Sequence, residues 1–154
     1  MSDVHTRTAA RAILIDGRER VLLIWGCDPA KPEEGSWWYT PGGGVEPGES
    51  FTEALRRELQ EEIGLDVDHV GEVIFEATSR FDYDGRQFHQ RNLFFEVRVD
   101  DFEADLSALS AEERLGILSV HWLTLDEMRN TPHFIHPPTL PHIVANLLSS
   151  DGVI

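Results

Sequence analysis

The sequence predicts a mixed α/β layered domain. Two patterns carry this reading: β-rich runs outnumber helical ones along the chain, and one sharply bounded amphipathic helix sits among them. The third consideration is scale. A chain of 154 residues suggests one compact domain. At that length it can bury roughly 70% of the surface its unfolded state exposes, with no need of disulfides or structural metals.

The elements follow in order. Thr8 to Ile15 and Val21 to Trp25 are β-rich runs around Asp16-Gly17-Arg18-Glu19-Arg20, which reads as a hairpin. Cys27 to Gly35 is polar, carries Pro29 and Pro32, and reads as a loop. Trp37 to Thr40 predicts a short strand stopped by Pro41-Gly42-Gly43-Gly44. A helix begins near Ser50, where Ser50 and Glu53 form a capping box, and Gly64 stands where its C-terminal stop belongs. Val70 to Thr78 and Gln87 to Val99 read as strands joined by a turn at Asp82-Tyr83-Asp84-Gly85. In the second, Leu93, Phe95, Val97 and Val99 alternate with Asn92, Phe94, Glu96 and Arg98, the period of a half-buried strand. Ile117 to Leu123 is a further strand, Thr124 to Met128 a short capped helix, and Leu140 to Leu148 a C-terminal helix with Pro141 in its first turn.

Hydrophobic residues make up 41% and charged residues 27%, a globular composition. Thirteen basic against 28 acidic residues give a net charge of −15, a field that repels nucleic acid and anionic membranes. Neither partner is expected, and any anionic substrate must be met by a local cation. Cys27 is the single cysteine, so no intramolecular disulfide can form and a reducing, cytoplasmic setting is expected. Met1 to Arg7 lacks the basic start and apolar run of a secretory signal, and no apolar run approaches the roughly 20 residues of a membrane span.

The chemically informative segment is Gly43 to Leu65. At helical spacing Glu58, Glu61 and Glu62 share one narrow face, beside an apolar stripe of Leu55, Leu59 and Ile63. No lysine lies in the segment, and Arg56 and Arg57 are expected to point away from the centre of the carboxylate face. Crowded, poorly neutralised acids favour a divalent cation, and hard oxygen ligands select Mg²⁺ or Mn²⁺. An isolated Glu-Glu pair would read as a solvated helix face; the context here decides otherwise. The order is Gly43, five residues, Glu49, seven residues, Arg57-Glu58-Leu59, one residue, Glu61-Glu62, one residue, Gly64-Leu65. Gly42 to Gly44 allow unusual dihedrals and close approach of a backbone carbonyl or amide to an ion. Glu49 stands outside the helix start, where it can pair with Arg57 across two turns and so aim Glu58.

These residues resemble the signature box of the Nudix hydrolases at all nine constrained positions. A chance match in such a chain is on the order of 10⁻⁷ at average residue frequencies. Trp38, Pro41 and Gly42 precede the box as they do in that family. The resemblance implies a Nudix-like α/β/α sandwich with a mixed β-sheet and the box loop-helix at its centre, spanning residues 1–154. It also implies hydrolysis of the diphosphate linkage of a nucleoside diphosphate derivative by water attacking phosphorus. Mg²⁺ or Mn²⁺ would be held by Gly42, Glu58, Glu61 and Glu62, with Arg57 and Glu49 supporting them. The family differs in which acid is the general base: Glu58 is one candidate, and a loop acid is another, with Glu113 preferred over Glu112. A homodimer fits the resemblance as well as a monomer does.

Outside the box the candidates are broader. Arg80, Arg86 and Arg91 are available phosphate partners, and Trp37, Trp38, Tyr39, Phe81, Tyr83 and Phe88 could stack on a base. His133 and His136 read as loop residues of a Pro-rich stretch, and Cys27 as structural. The competing readings are a Nudix-fold nucleotide-sensing module without turnover, an isomerase of the same superfamily, whose cysteine motif Cys27 does not match, and an acidic calcium buffer, for which no Asp-x-Asp-x-Asp-Gly loop exists.

Overall fold

A computed structural model describes residues 4–152. Within them the strands are β1 (Val4–Ile15), β2 (Val21–Cys27), β3 (Ser36–Tyr39), β4 (Gly42–Gly44), β5 (Val73–Tyr83), β6 (Arg86–Arg98), β7 (Ile117–Leu123) and β8 (Ile135–His136). The helices are α1 (Phe51–Ile63), α2 (Glu113–Gly116), α3 (Leu125–Asn130) and α4 (Leu140–Gly152). Residues 1–3, part of the segment examined for a leader, lie outside the described residues.

The strands form one mixed sheet in the order β5-β6-β1-β2-β3-β8, with β4 added on β1 and β7 on β2. The longest pairing is parallel, β1 with β6 from Val4↔Gln87 to Ile15↔Arg98. The predicted hairpin turn forms, but its strands part at once. Asp16 caps the turn by accepting from the backbone of Arg18 and Arg20 and pairing with the Arg20 guanidinium at 2.7 Å. Only Ile15↔Val21 is then in register between β1 and β2. Beyond that point β1 turns to β4, pairing Ala9, Ala10 and Arg11 with Gly44, Gly43 and Gly42. The glycine run is therefore a strand rather than only the terminator expected of it. A neighbouring strand supplies the hydrogen bonds that glycine's weak β preference does not secure.

The sheet is covered on both faces. Ala10, Ala12, Leu14, Leu93, Phe95 and Val97 pack with Leu55, Leu59 and Ile63 of α1. Ile13, Ile15, Leu23 and Phe94 pack on the other face with Met128 of α3 and Leu140 and Val144 of α4. This corrects the half-buried reading of β6: Asn92 and Phe94, assigned to the polar alternation, are 1% exposed. Phe94 is buried because α3 and α4 close the second face, and Asn92 through its bonds to Gln90, Ala77 and Ser79. Strands buried on both sides lose their alternation. The hairpin between β5 and β6 turns on Asp84 and Gly85, both at positive φ, and Asp84 N–H donates to Asp28 Oδ1 at 2.8 Å. α3 carries the full capping box predicted at Thr124 and Glu127.

Leu59 is wholly buried between α1 and the sheet. Replacing it by Ala should cost about 2–5 kcal/mol, through lost burial and the cavity left behind. Denaturant unfolding should show a lower midpoint with an unchanged slope; a midpoint within error of the parent would mean that α1 is not seated as described.

Candidate active site

Helix α1 is fixed at both ends. Ser50 Oγ accepts from Glu53 N–H at 3.1 Å, the forward half of the expected capping box. Gly64 adopts φ 72° and ends the helix by donating to the Gln60 carbonyl, a left-handed cap that disfavours a side chain. The glutamates then fall on a gradient of burial set by their angle to the apolar stripe. Glu62 is 7% exposed, whereas the Glu58 and Glu61 side chains are 16% and 51% exposed.

Arg57 occupies the centre of this face. Its Nε donates to Glu49 Oε2 at 2.7 Å, one Nη to Glu49 Oε1 and the Gly44 carbonyl, both at 3.0 Å, and the other to Glu58 Oε1 at 2.9 Å and Glu61 Oε2 at 3.3 Å. Every one of the five donors of the guanidinium is engaged. The expectation that Arg57 points away from the carboxylates is thus corrected, because a long side chain reaches back over positions its Cα direction does not indicate. The expected Glu49–Arg57 pair is present. Arg57's hydrogen bonds, with the Glu46 backbone, hold the Glu49 carboxyl down at about 2, and Glu49 in turn raises Arg57.

The glycine strand β4 brings this helix face against the sheet. A β-carbon at Gly43 would overlap the Glu58 carboxylate, and one at Gly42 (φ 137°) would strike the backbone of Ala10. Gly42 N–H donates to Glu62 Oε1 at 2.7 Å, while its carbonyl accepts from Arg11 Nη1 at 3.0 Å. Burial is the main reason the Glu62 carboxyl is pushed up to about 8; the Arg11 charge opposes that rise, and Glu58 and Glu113 add to it. Burial likewise raises Glu58, against the Arg57 hydrogen bond.

Above this face opens a cavity of about 660 Å³. Glu58, Glu62, Asp82 and Glu113 supply its acids, Arg7, Arg11 and Arg80 its cations, and Trp37, Tyr39, Phe81, Tyr83 and Phe134 its aromatic surfaces. A second hollow of about 730 Å³, lined by Leu65 to His69 with Glu96 and Arg98, lies beyond the C-terminus of α1 and contains none of the box glutamates.

The site residues predicted from sequence divide accordingly. Gly42, Glu58, Glu62 and Glu113 line the cavity, whereas Glu61 and Glu49 lie outside its lining and are linked to Glu58 through Arg57. Glu113 begins the short helix α2 instead of lying in a loop, with Oε1 accepting from Ser110 N–H at 2.9 Å. Of the three arginines offered for phosphate, Arg80 alone lines the cavity; Arg91 is tied to Glu76 on an exposed part of the β5–β6 ladder. Trp38 and Phe88 are also outside the cavity lining: Trp38 packs on Trp25 and His121, and Phe88 stacks on Phe81. His136 is corrected from loop to strand, half-buried in β8 and lining the cavity. Cys27 is buried, and desolvation raises its thiol.

Arg7, Arg11, Gln90 and Phe134 were missed. Two arginines four apart, and so on one face of the first strand, were the available signal.

Among the described residues no three His, Cys, Asp or Glu side chains are already drawn together as a metal cluster. The chemistry of the donors nevertheless fits a hard dication: Glu58, Glu61, Glu62 and the Gly42 carbonyl offer oxygen only.

A family model described as the NUDIX domain matches residues 5–146. This chain belongs to the Nudix family. It is 31% identical over 148 residues to an RNA pyrophosphohydrolase of Rhodopseudomonas palustris, covering 88% of this chain and 82% of that protein. It is 46% identical over 54 residues to the human 8-oxo-dGDP phosphatase NUDT18, a stretch that is 35% of this chain and 16% of that protein's length. Its fold matches the crystal structure of a MutT protein from Methanosarcina mazei with a TM-score of 0.68 at 16% identity, over 99% of this chain and 100% of the other.

In this Nudix chain Glu62 keeps a proton that the unfolded chain has lost between about 4.5 and about 8. Its contribution to the stability of the metal-free protein is therefore complete at acid pH and is lost as pH rises through about 8. Denaturation with EDTA present should show that decline, and Glu62→Gln should flatten it; parallel pH profiles would contradict the burial of an acid here.

Proposed function

We propose that this chain, taken as one Nudix domain over residues 1–154, is a Mg²⁺- or Mn²⁺-dependent pyrophosphohydrolase. It cleaves the diphosphate linkage of a nucleoside diphosphate derivative in the cytoplasm. The observation that carries this reading is the gathering of Glu58 and Glu62 with Arg7, Arg11 and Arg80 around one cavity. An anionic diphosphate must be met by local positive charge in a protein of net charge −15, and these arginines supply it beside the carboxylates that would hold an ion.

Glu58, Glu61, Glu62 and the Gly42 carbonyl would hold the ion. When bound, it supplies charge neutralisation and a lowered pKa for the attacking water. The residues of the chain do the rest. Arg57 and Glu49 are positioning residues that set the Glu58 and Glu61 carboxylates. Glu58, whose carboxyl is raised by burial, or Glu113, which also lines the cavity, accepts the water proton as the P–O bond to water forms. The phosphoanhydride P–O bond breaks with its electron pair leaving on the departing phosphate. The aromatic rim of Trp37, Phe81, Tyr83 and Phe134 is shaped to receive the nucleoside end. The identity of the relatives as pyrophosphohydrolases and phosphatases supports this reaction class.

A panel of nucleoside diphosphate derivatives and nucleoside triphosphates, incubated with Mg²⁺ or Mn²⁺, tests the reading. Metal-dependent release of a phosphorylated product is expected, and Glu62→Gln should lower turnover by at least about 10–100-fold. Binding without turnover across the panel would replace the hydrolase with a nucleotide-sensing module. Glu113→Gln should lower kcat while Glu112→Gln, outside the cavity lining, should not; two normal values would remove α2 from the mechanism.

A further inference from the structure

We propose that Arg7 grips a phosphate group of the substrate in the cavity that the box glutamates Glu58 and Glu62 also line. Its guanidinium is held in place by a buried amide relay and an aromatic platform. The phosphate is that of a nucleoside di- or polyphosphate, and in this the inference rests on the proposed function.

Arg7 lies on β1, with its guanidinium alongside Gly44 at the edge of the glycine strand. Its Nε donates to Gln90 Oε1. Gln90 Nε2 donates to Asn92 Oδ1 at 2.5 Å, and Asn92 Nδ2 donates to Ser79 Oγ at 3.0 Å and to the Ala77 carbonyl at 3.2 Å. Gln90 and Asn92 are 2% and 1% exposed, and the relay runs in one donor-to-acceptor sense because Arg7 Nε can only donate and the Ala77 carbonyl can only accept. A buried amide pair of this kind is tolerated only when its hydrogen bonds are satisfied, and here they are. The consequence is that both ends of the Gln90 amide are engaged within the relay. Its polar atoms orient Arg7.

The second support is the Phe88 ring, over which the Arg7 guanidinium lies at 4.7 Å, while Phe88 stacks on Phe81 at 5.2 Å and 19°. Anchored through Nε and one face, Arg7 keeps its Nη groups for the cavity, the fork that matches a phosphate. Arg11 is used differently. Its Nη1 is taken by the Thr40 and Gly42 carbonyls and its charge is directed at Glu62. Burial, and then the Arg11 charge, hold Arg7 below its ordinary value, and a bound anion would stabilise its charged form.

The test uses the whole chain with Mg²⁺ and inorganic pyrophosphate as the calorimetric probe, together with kinetics on any nucleotide the protein hydrolyses. Arg7→Gln should weaken pyrophosphate binding by about tenfold or more, the loss of charge-assisted hydrogen bonds. It should raise KM similarly while kcat stays within about twofold. Arg7→Lys should recover part of the affinity, and Arg91→Gln, on the exposed β5–β6 ladder, should bind as the parent does. Unchanged melting of Arg7→Gln separates the result from a folding defect. Parent-like binding by Arg7→Gln, or no pyrophosphate binding by the parent, would overturn the inference. Arg7-dependent binding with no hydrolysis of any nucleotide would leave it standing and remove the hydrolase reading instead.

Discussion

The Arg57 guanidinium is the constraint on which the site depends. Its five donors join a loop carboxylate, a backbone carbonyl of the glycine strand and two of the box glutamates. Glu58 and Glu61, on adjacent turns of α1, would repel one another without a shared cation. Lysine could supply the charge but not the planar fork that sets two carboxylates and a carbonyl at fixed angles. The anchor matters equally, because Glu49 on the loop and Gly44 on β4 hold Arg57 from outside the helix. Helix, loop and sheet are therefore registered by one side chain, and the carboxylates take their directions from it.

The thinness of β4 is the second element. Glycine at position 43 lets the Glu58 carboxylate lie on the backbone of the strand, and Gly42 brings its N–H to Glu62. The carboxylates of a helix that packs on one face of the sheet are thereby brought to a cavity whose cations Arg7 and Arg11 lie on the other face of β1. Glu62 is held in this position at an electrostatic cost, its carboxyl pushed up to about 8 by burial. A dication would stabilise the ionised form and turn that cost into affinity. Buried acids of this kind gather at functional sites more often than elsewhere.

Local features were legible from sequence: the caps of α1 and α3, the apolar stripe, the turn at Asp84-Gly85 and the order of the box. The Nudix family and its layered fold followed from that box. What escaped was decided by distant partners. Arg57 was misread because helical spacing gives the direction of Cα–Cβ, not the reach of a long side chain. The glycine run was read as a break because its partner β1 lies some thirty residues earlier. The cavity wall of Arg7, Gln90 and Asn92 exists only through the parallel pairing of β1 with β6, 83 residues apart at Arg7 and Gln90. His136 looked like loop because its strand is two residues long and exists only as an addition to β3.

The most direct measurement is a calorimetric titration of Mn²⁺ into the parent and into Arg57→Lys, which keeps the charge and removes the fork. The account predicts saturable uptake by the parent and a loss of affinity of about 10–100-fold in the variant, the effect of disturbing groups that orient metal ligands. No uptake by the parent, or equal affinity in the two proteins, would contradict it.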